Sequence, residues 1–139
     1  MTPEQWQQVE KALSGTYGYA KLKVDGREVV FSRGMVDKNR LGIITYVDGR
    51  WEAKWISSKT EYPEQRFLRP HEKYIYPQKR RDEFKKLPAR VRKELVKSVL
   101  RFAIDEKRKW FSPIWHNTVQ IRRHYQKTFT SIELVEVVG

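Results

Sequence analysis

Two Asp-Gly pairs, Asp25-Gly26 and Asp48-Gly49, constrain the fold of this 139-residue chain more than any other feature. Asp-Gly is a preferred two-residue turn of a β-hairpin, because both turn positions must adopt a positive φ. Each pair lies between runs in which apolar and polar residues alternate, as they do in a half-buried strand. The two turns therefore predict two hairpins in series, which form a four-stranded antiparallel meander over residues 17–56.

The two hairpins also predict a register, in which Val24 lies opposite Arg27 and Val47 lies opposite Arg50. Apolar side chains then share one face of each hairpin, and we expect that face to be the core. The predicted core residues are Ala20, Leu22, Val24, Val29 and Phe31 in the first hairpin, and Ile44, Tyr46, Trp51, Ala53 and Trp55 in the second. The link from Gly34 to Arg40 is predicted to be an exposed loop.

Helices are predicted before and after the meander. Residues 1–15 begin with Thr2-Pro3-Glu4-Gln5, a capping pattern that is typical of a helix N-terminus. Residues 79–127 have the composition and periodicity of two or three basic helices. The longest of these is predicted to run from Pro88 to about Phe111, and the last to begin at Ser112-Pro113.

Two further segments complete the predicted organisation. Residues 57–78 are interrupted by a proline at every seventh position, which predicts an extended connector, with one strand at Lys73 to Tyr76. Residues 128–138 return to alternation and predict an additional C-terminal strand. We therefore expect a single α+β domain over residues 1–139, in which a four-stranded antiparallel β-meander packs against an N-terminal helix and two or three C-terminal helices. The alternative for residues 17–56 is an SH3-like or Tudor-like small barrel.

The composition excludes several classes of function. There is no cysteine, which rules out disulfides, thiol catalysis and zinc sites that need sulfur. The three histidines at positions 71, 116 and 124 have no metal-ligand spacing, and no glycine-rich phosphate loop is present, so we expect no cofactor. No run approaches the ~18 apolar residues that span a bilayer, and the first 15 residues lack a secretory apolar segment. The expected location is the cytoplasm, without a membrane partner.

The positive charge of the chain is concentrated in one part of the sequence. The 29 Lys and Arg residues exceed the 17 Asp and Glu residues by 12, and residues 79–127 alone contain 16 basic residues against five acidic ones. Charge that is concentrated in this way creates a field that attracts polyanions, of which nucleic acid is the commonest in cytoplasm.

The sharpest feature within this basic segment is a predicted stripe of cations on one side of the long helix. Phosphate binding needs several cations on one rigid surface, and a helix can supply that surface. The stripe contains Arg90, Lys93, Lys97, Arg101 and Arg108, and the residues predicted to extend it are Lys79, Arg80, Arg81, Arg122, Arg123 and Lys127. The pattern predicts a small, non-enzymatic nucleic-acid-binding protein that contacts the phosphate backbone of DNA or RNA.

A second set of residues could bind unpaired bases. Aromatic side chains alternate with cations in the connector, and aromatic rings stack on bases of any sequence. The set contains Tyr62, Phe67, Tyr74 and Tyr76, interleaved with Arg66, Arg69 and Lys73. The alternative is that these rings simply cover the sheet as part of the core.

Two other functions compete with nucleic-acid binding. The first is a phage- or mobile-element-type inhibitor or adaptor, such as an anti-CRISPR-like protein, that binds a protein component of a nucleic-acid-processing or defence complex through Trp, Tyr and Arg residues. The second is a metal-dependent nuclease that uses Asp37, Glu52 and Lys54, a spacing similar to the Asp, Glu-x-Lys pattern of restriction-like nucleases. Paired charges on an exposed strand explain Glu52 and Lys54 without a metal.

Overall fold

The computed structural model describes residues 1–98, 100 and 103–139, and these residues form an α+β fold with two compact units. The sheet unit contains Met1–Pro70 and Phe111–Gly139, and the insert contains His71–Trp110. Within the described residues there is no helix with the length and apolar character needed to cross a membrane.

The sheet unit is built on a five-stranded antiparallel sheet with the strand order β6-β3-β2-β1-β7. Its strands are β1 (Tyr19–Val24), β2 (Arg27–Asp37), β3 (Arg40–Val47), β6 (Ile114–Trp115) and β7 (Ile132–Val138). Its helices are α1 (Pro3–Ser14) and α4 (Thr118–Thr128), with short 3-10 helices at Ala53–Trp55 and Pro63–Phe67. The remaining strands, β4 (Arg69–Tyr74) and β5 (Lys107–Ser112), form a two-stranded sheet.

The first predicted hairpin is confirmed. Asp25 and Gly26 adopt φ values of 47° and 83°, and Val24 pairs with Arg27 across the turn. All five apolar residues predicted to form the core face of this hairpin are fully buried. An Asp-Gly pair between alternating runs was therefore sufficient to specify this part of the fold.

The second predicted hairpin is wrong beyond its turn. Asp48 and Gly49 do adopt positive φ values of 51° and 78°, and Val47 forms an isolated bridge with Arg50. No strand follows directly after this turn, however. The chain instead enters the 3-10 helix that places Trp55 in the core. The Asp48 amide instead donates to the Glu28 carbonyl at 2.8 Å, which ties this turn to β2. The described sheet therefore contains a three-stranded meander, and β6 occupies the position beside β3 where the fourth strand was predicted.

The predicted core face of β3 is also wrong. Ile43, Thr45 and Val47 are buried, whereas Ile44 and Tyr46 are half-buried. The predicted loop from Gly34 to Arg40 is largely strand, because β2 continues to Asp37 and β3 begins at Arg40. The short connection between β2 and β3 places Val47 opposite Val29 and Thr45 opposite Phe31. Ile43, Thr45 and Val47 therefore face the core in place of Ile44 and Tyr46.

The two ends of the chain complete the sheet unit. Helix α1 begins with the predicted capping box at Thr2 and buries Trp6, Val9 and Leu13. The predicted C-terminal strand is confirmed as β7, which pairs with β1. Helix α4 buries Ile121 and Tyr125, but it begins after an Asn117 cap because the predicted start, Ser112-Pro113, precedes β6 instead of a helix.

The insert contains two helices, α2 (Gln78–Lys85) and α3 (Ala89–Ser98), between the two strands that carry the chain into and out of it. The helix predicted from Pro88 to Phe111 is therefore too long, since residues from Lys107 form β5. The backbone of this region turns towards β4, as shown by the 3.0 Å hydrogen bond that the Ile75 amide donates to the Glu106 carbonyl. No residue of α2 or α3 is buried.

Candidate nucleic-acid interface

Most of the excess positive charge lies in the insert. His71–Trp110 contains 14 Lys and Arg residues against six Asp and Glu residues, which is a net charge of +8 out of the +12 of the whole chain. A charge of this size on 40 residues produces a local positive potential that is felt over about one Debye length, roughly 8 Å at physiological salt. The net positive charge of the chain is therefore concentrated in the insert.

Three of the predicted stripe residues lie together on α3. Arg90, Lys93 and Lys97 are exposed, and their spacing of three and four residues places them on one side of the helix. Arg101 lies outside the described residues, and Arg108 lies on β5 instead of on the predicted helix. The continuous five-residue helical stripe is thus corrected to three helical cations and one cation on a strand.

The other predicted cations are divided between α2 and α4. Lys79 and Arg80 are exposed on α2, and Arg81 beside them is half-buried. Arg122, Arg123 and Lys127 lie on α4 of the sheet unit, where the two arginines line a cavity of about 330 Å³ together with Trp6 and Glu10. A single surface that joins the cations of both units stays a prediction.

The predicted cations that the structure describes form no ion pairs. Among the described residues, the ion pairs of the insert are Lys85 with Asp105 at 3.5 Å and Lys107 with Glu72 at 3.1 Å. None of the predicted cations that the structure describes lies within 4.0 Å of a carboxylate oxygen. Within the described part of the chain, these side chains therefore have no carboxylate partner.

Cations and rings are also in contact near the end of β4. The Arg81 guanidinium lies 3.5 Å from the centroid of the Tyr74 ring, and Arg81 Nε donates a hydrogen bond to the Tyr76 carbonyl at 3.2 Å. Lys107 Nζ lies 4.9 Å from the same Tyr74 ring. The hydrogen bond from Lys107 to Glu72 raises the pKa of the Lys107 amine, so this ammonium remains charged. Tyr74 is thereby held between other side chains of the insert while 37% of its surface stays exposed.

A second ring contact in the insert was missed by the sequence analysis. His71 and Trp110 are stacked, with centroids 5.2 Å apart and an interplanar angle of 8°. Trp110 also lines a cavity of about 240 Å³ together with Lys73, Tyr74, Ile75 and Arg108. The signal was the alternation of Arg108 and Trp110, which places both side chains on one face of a strand. Assignment of this segment to a helix concealed it.

The structure corrects most of the predicted aromatic stacking set. Phe67 is buried in the core and stacks on Phe129, with centroids 4.8 Å apart, and Tyr76 is also buried. Tyr62 is half-buried and packs against the core cluster. Tyr74 is the one aromatic residue of the predicted set that is exposed.

The residues of the nuclease hypothesis are not assembled as that hypothesis requires. Asp37 pairs with Arg40 at the beginning of β3, whereas Glu52 follows the opposite end of this strand. Glu52 and Lys54 do not lie on a strand, and their side chains form an ion pair at 3.7 Å. No group of three or more Asp, Glu, His or Cys side chains that could hold a metal ion is present in the described part of the chain.

No protein-family model, no curated protein and no solved structure matches this chain. Its function must therefore be inferred from the arrangement and chemistry of its own residues.

Proposed function

We propose that this protein binds nucleic acid without chemically changing it, and that the insert provides the main contact with the phosphate backbone. The observation that carries the proposal is the net charge of +8 on His71–Trp110, combined with exposed cations that have no carboxylate neighbour among the described residues. If the same excess of charge were distributed evenly over the chain, it would not indicate a nucleic-acid partner. Clustered and unpaired cations are the electrostatic footprint of a phosphate-binding surface.

The contacts proposed for phosphate come from α2, α3 and β5. The exposed cations on these elements that were predicted to bind phosphate are Lys79, Arg80, Arg90, Lys93, Lys97 and Arg108. Each cation that meets a phosphate releases condensed counterions, and this release makes the affinity depend on salt. If five or six of these side chains bind duplex DNA, log K should fall with log salt with a slope of about −4.5 to −5.4.

The test is a salt titration of binding to a labelled duplex, followed by fluorescence anisotropy. The variant Arg90→Gln/Lys93→Gln/Lys97→Gln should reduce the magnitude of the slope by about 2.7, because three phosphate contacts are lost. The matched control is Lys11→Gln/Lys23→Gln/Lys38→Gln, which removes the same charge from exposed positions of the sheet unit. The control should keep most of the wild-type slope. Equal slopes for the two variants, or a wild-type slope near zero, would contradict the proposal.

A second function is favoured by one specific observation, an apolar groove beside α3. Phe84, Ala89 and Val96 form its apolar part, and the cations Arg92, Lys93 and Lys97 also line it. Val96 is 55% exposed. The positive charge of Arg92, Lys93 and Lys97 complements an acidic amphipathic segment of a partner protein. The same charge repels a second copy of this basic chain. This is the surface that an inhibitor or adaptor of phage or mobile-element type would use.

The two functions can be separated by a pull-down performed before and after nuclease treatment, with Val96→Asp as the diagnostic variant. A protein partner that remains bound after nuclease treatment, and that Val96→Asp loses, would favour the adaptor. A partner that nuclease removes, and that Val96→Asp retains, would favour nucleic-acid binding.

A further inference from the structure

The cavity between β4 and β5 has the composition of a site for a planar and charged ligand. It is lined by the aromatic residue Trp110, by the cations Lys73 and Arg108, and by Tyr74 and Ile75 of the facing segment. Its volume of about 240 Å³ is below the usual range of roughly 300 to 1,000 Å³ for pockets that bind whole small molecules. The cavity therefore suits one planar group that belongs to a larger ligand.

The Trp110 ring of this cavity is held in place before any ligand arrives. It is stacked on His71 at an interplanar angle of 8°. Side chains that are already ordered lose little conformational entropy when a ligand binds. The aromatic surface is thus preorganised, as stacking on a flat ring requires.

The cations of the cavity differ from their neighbour on β5. Lys107 is paired with Glu72 at 3.1 Å, whereas Lys73 and Arg108 are exposed and have no carboxylate oxygen within 4.0 Å in the described part of the insert. A ligand that stacks on the aromatic ring and also pairs with the two cations carries a negative charge beside a planar ring. A nucleotide within a nucleic-acid strand has both.

We infer that this cavity takes one unpaired nucleobase, with Arg108 and Lys73 on the phosphates that flank it. The ligand of the insert is then single-stranded nucleic acid in preference to duplex, because the base faces of a duplex are covered by neighbouring bases. The inference rests on the proposed function and specifies its substrate class. Base stacking on an aromatic ring contributes an affinity of about 5- to 150-fold per base.

The experiment compares the intact chain bound to a single-stranded oligonucleotide of about 12 nucleotides, a length within the usual site sizes, with the same sequence as a duplex. The oligonucleotide carries 2-aminopurine, whose fluorescence is quenched when it stacks on a ring, and anisotropy gives the affinity. We expect quenching and tighter binding for the single strand. Trp110→Ala should remove the quenching and weaken single-strand binding by about 5- to 150-fold, while duplex binding is unchanged.

Three further variants serve as controls. Tyr17→Ala removes a ring of the sheet unit that is 89% exposed, and it should bind like the wild type. Trp110→Phe keeps a ring at the site and should recover part of the affinity and quenching. Arg108→Gln leaves the Trp110 ring in place, and it should lower the magnitude of the single-strand salt slope by about 0.7, which tests the site even if Trp110→Ala does not fold.

The outcomes separate this inference from the proposed function. Equal affinity for both forms, with Trp110→Ala and Tyr17→Ala indistinguishable from the wild type, would overturn the single-strand inference and leave nucleic-acid binding intact. Failure of the wild type to bind either form at low salt would overturn both.

Discussion

Trp115 Nε1 donates a hydrogen bond to Thr45 Oγ1 at 2.8 Å, and both side chains are buried. The bond connects β6 with β3, although the two residues are 70 positions apart in sequence. It explains how a threonine can occupy a core position opposite Phe31, since the hydroxyl satisfies an indole N–H that is buried with it.

Replacement of Thr45 by valine tests the value of this bond. Valine has nearly the same shape, but it leaves the Trp115 N–H buried without an acceptor, so Thr45→Val should lower the free energy of unfolding by about 1 to 3 kcal/mol. Denaturant unfolding measures the change. Thr45→Ser keeps the hydroxyl and is the control, with an expected loss closer to about 1 kcal/mol for the missing methyl group. A valine variant as stable as the wild type would show that the bond contributes nothing.

Gly18 is predicted to be intolerant of any side chain. A Cβ atom at this position would lie 1.7 Å from the Ala12 carbonyl oxygen at the end of α1, so the helix or β1 would have to move. Gly18→Ala should therefore destabilise the protein by about 3 kcal/mol or more. Gly34→Ala is the matched control, because a Cβ atom there meets no heavy atom within 4 Å. Similar melting temperatures for the two variants would contradict the expected close approach.

The stability of the sheet unit should depend on pH through His124. Its Nε2 lies 2.8 Å from the Arg66 carbonyl oxygen and donates to it, and burial lowers the pKa of the imidazole below its ordinary value of 6.5. Lys127 acts in the same direction. Below pH 6.5 the unfolded chain therefore takes up a proton before the folded chain does, and the contribution of His124 to stability is lost as the pH falls. Above this pH the contribution is fully present.

The measurement is the melting temperature at pH 5 and pH 7 for the wild type and for His124→Gln. Glutamine can still donate to the Arg66 carbonyl, but it does not titrate, so the decrease on acidification should be smaller in the variant. An unchanged decrease would exclude His124 as a source of the pH dependence.

Plasmid DNA should remain intact when it is incubated with this protein and Mg²⁺ or Mn²⁺. The expectation follows from the position of Asp37 at one end of β3 and Glu52 beyond the other, and from the contacts of the Glu52 carboxylate with Lys54 Nζ at 3.7 Å and Arg50 Nε at 3.9 Å. Agarose electrophoresis provides the readout. Cleavage by the wild type that is lost in both Glu52→Ala and Asp37→Ala would restore the nuclease hypothesis.

The parts of the fold that depend on neighbouring residues could be predicted from the sequence. The capping pattern at Thr2 specified α1, and the Asp25-Gly26 turn specified the register of β1 and β2. Asp48-Gly49 formed an equivalent turn, but a turn does not determine what pairs with the strand before it. Besides β2, the partner of β3 is Ile114–Trp115, which no local pattern around β3 could indicate.

The wrong helix prediction for the segment that forms β5 has a similar cause. The apolar periodicity from Val91 to Leu95 is typical of a helix, and the predicted helix extends to Phe111 because no local signal marks an earlier end. Lys107–Ser112 pairs with β4 more than 30 residues earlier, so its strand conformation depends on a distant partner. The basic character of the segment did not depend on this choice, whereas the position of Trp110 beside Arg108 did.

The pairing of β1 with β7 has a consequence for the order in which this protein is made. Tyr19–Val24 leaves the ribosome more than a hundred residues before its neighbour Ile132–Val138, which at ordinary elongation rates is a delay of roughly 5 to 25 seconds. During that interval one edge of β1 has no native partner, and such an edge can pair with other nascent chains. Translation speed through the intervening segment should therefore influence the soluble yield of the protein.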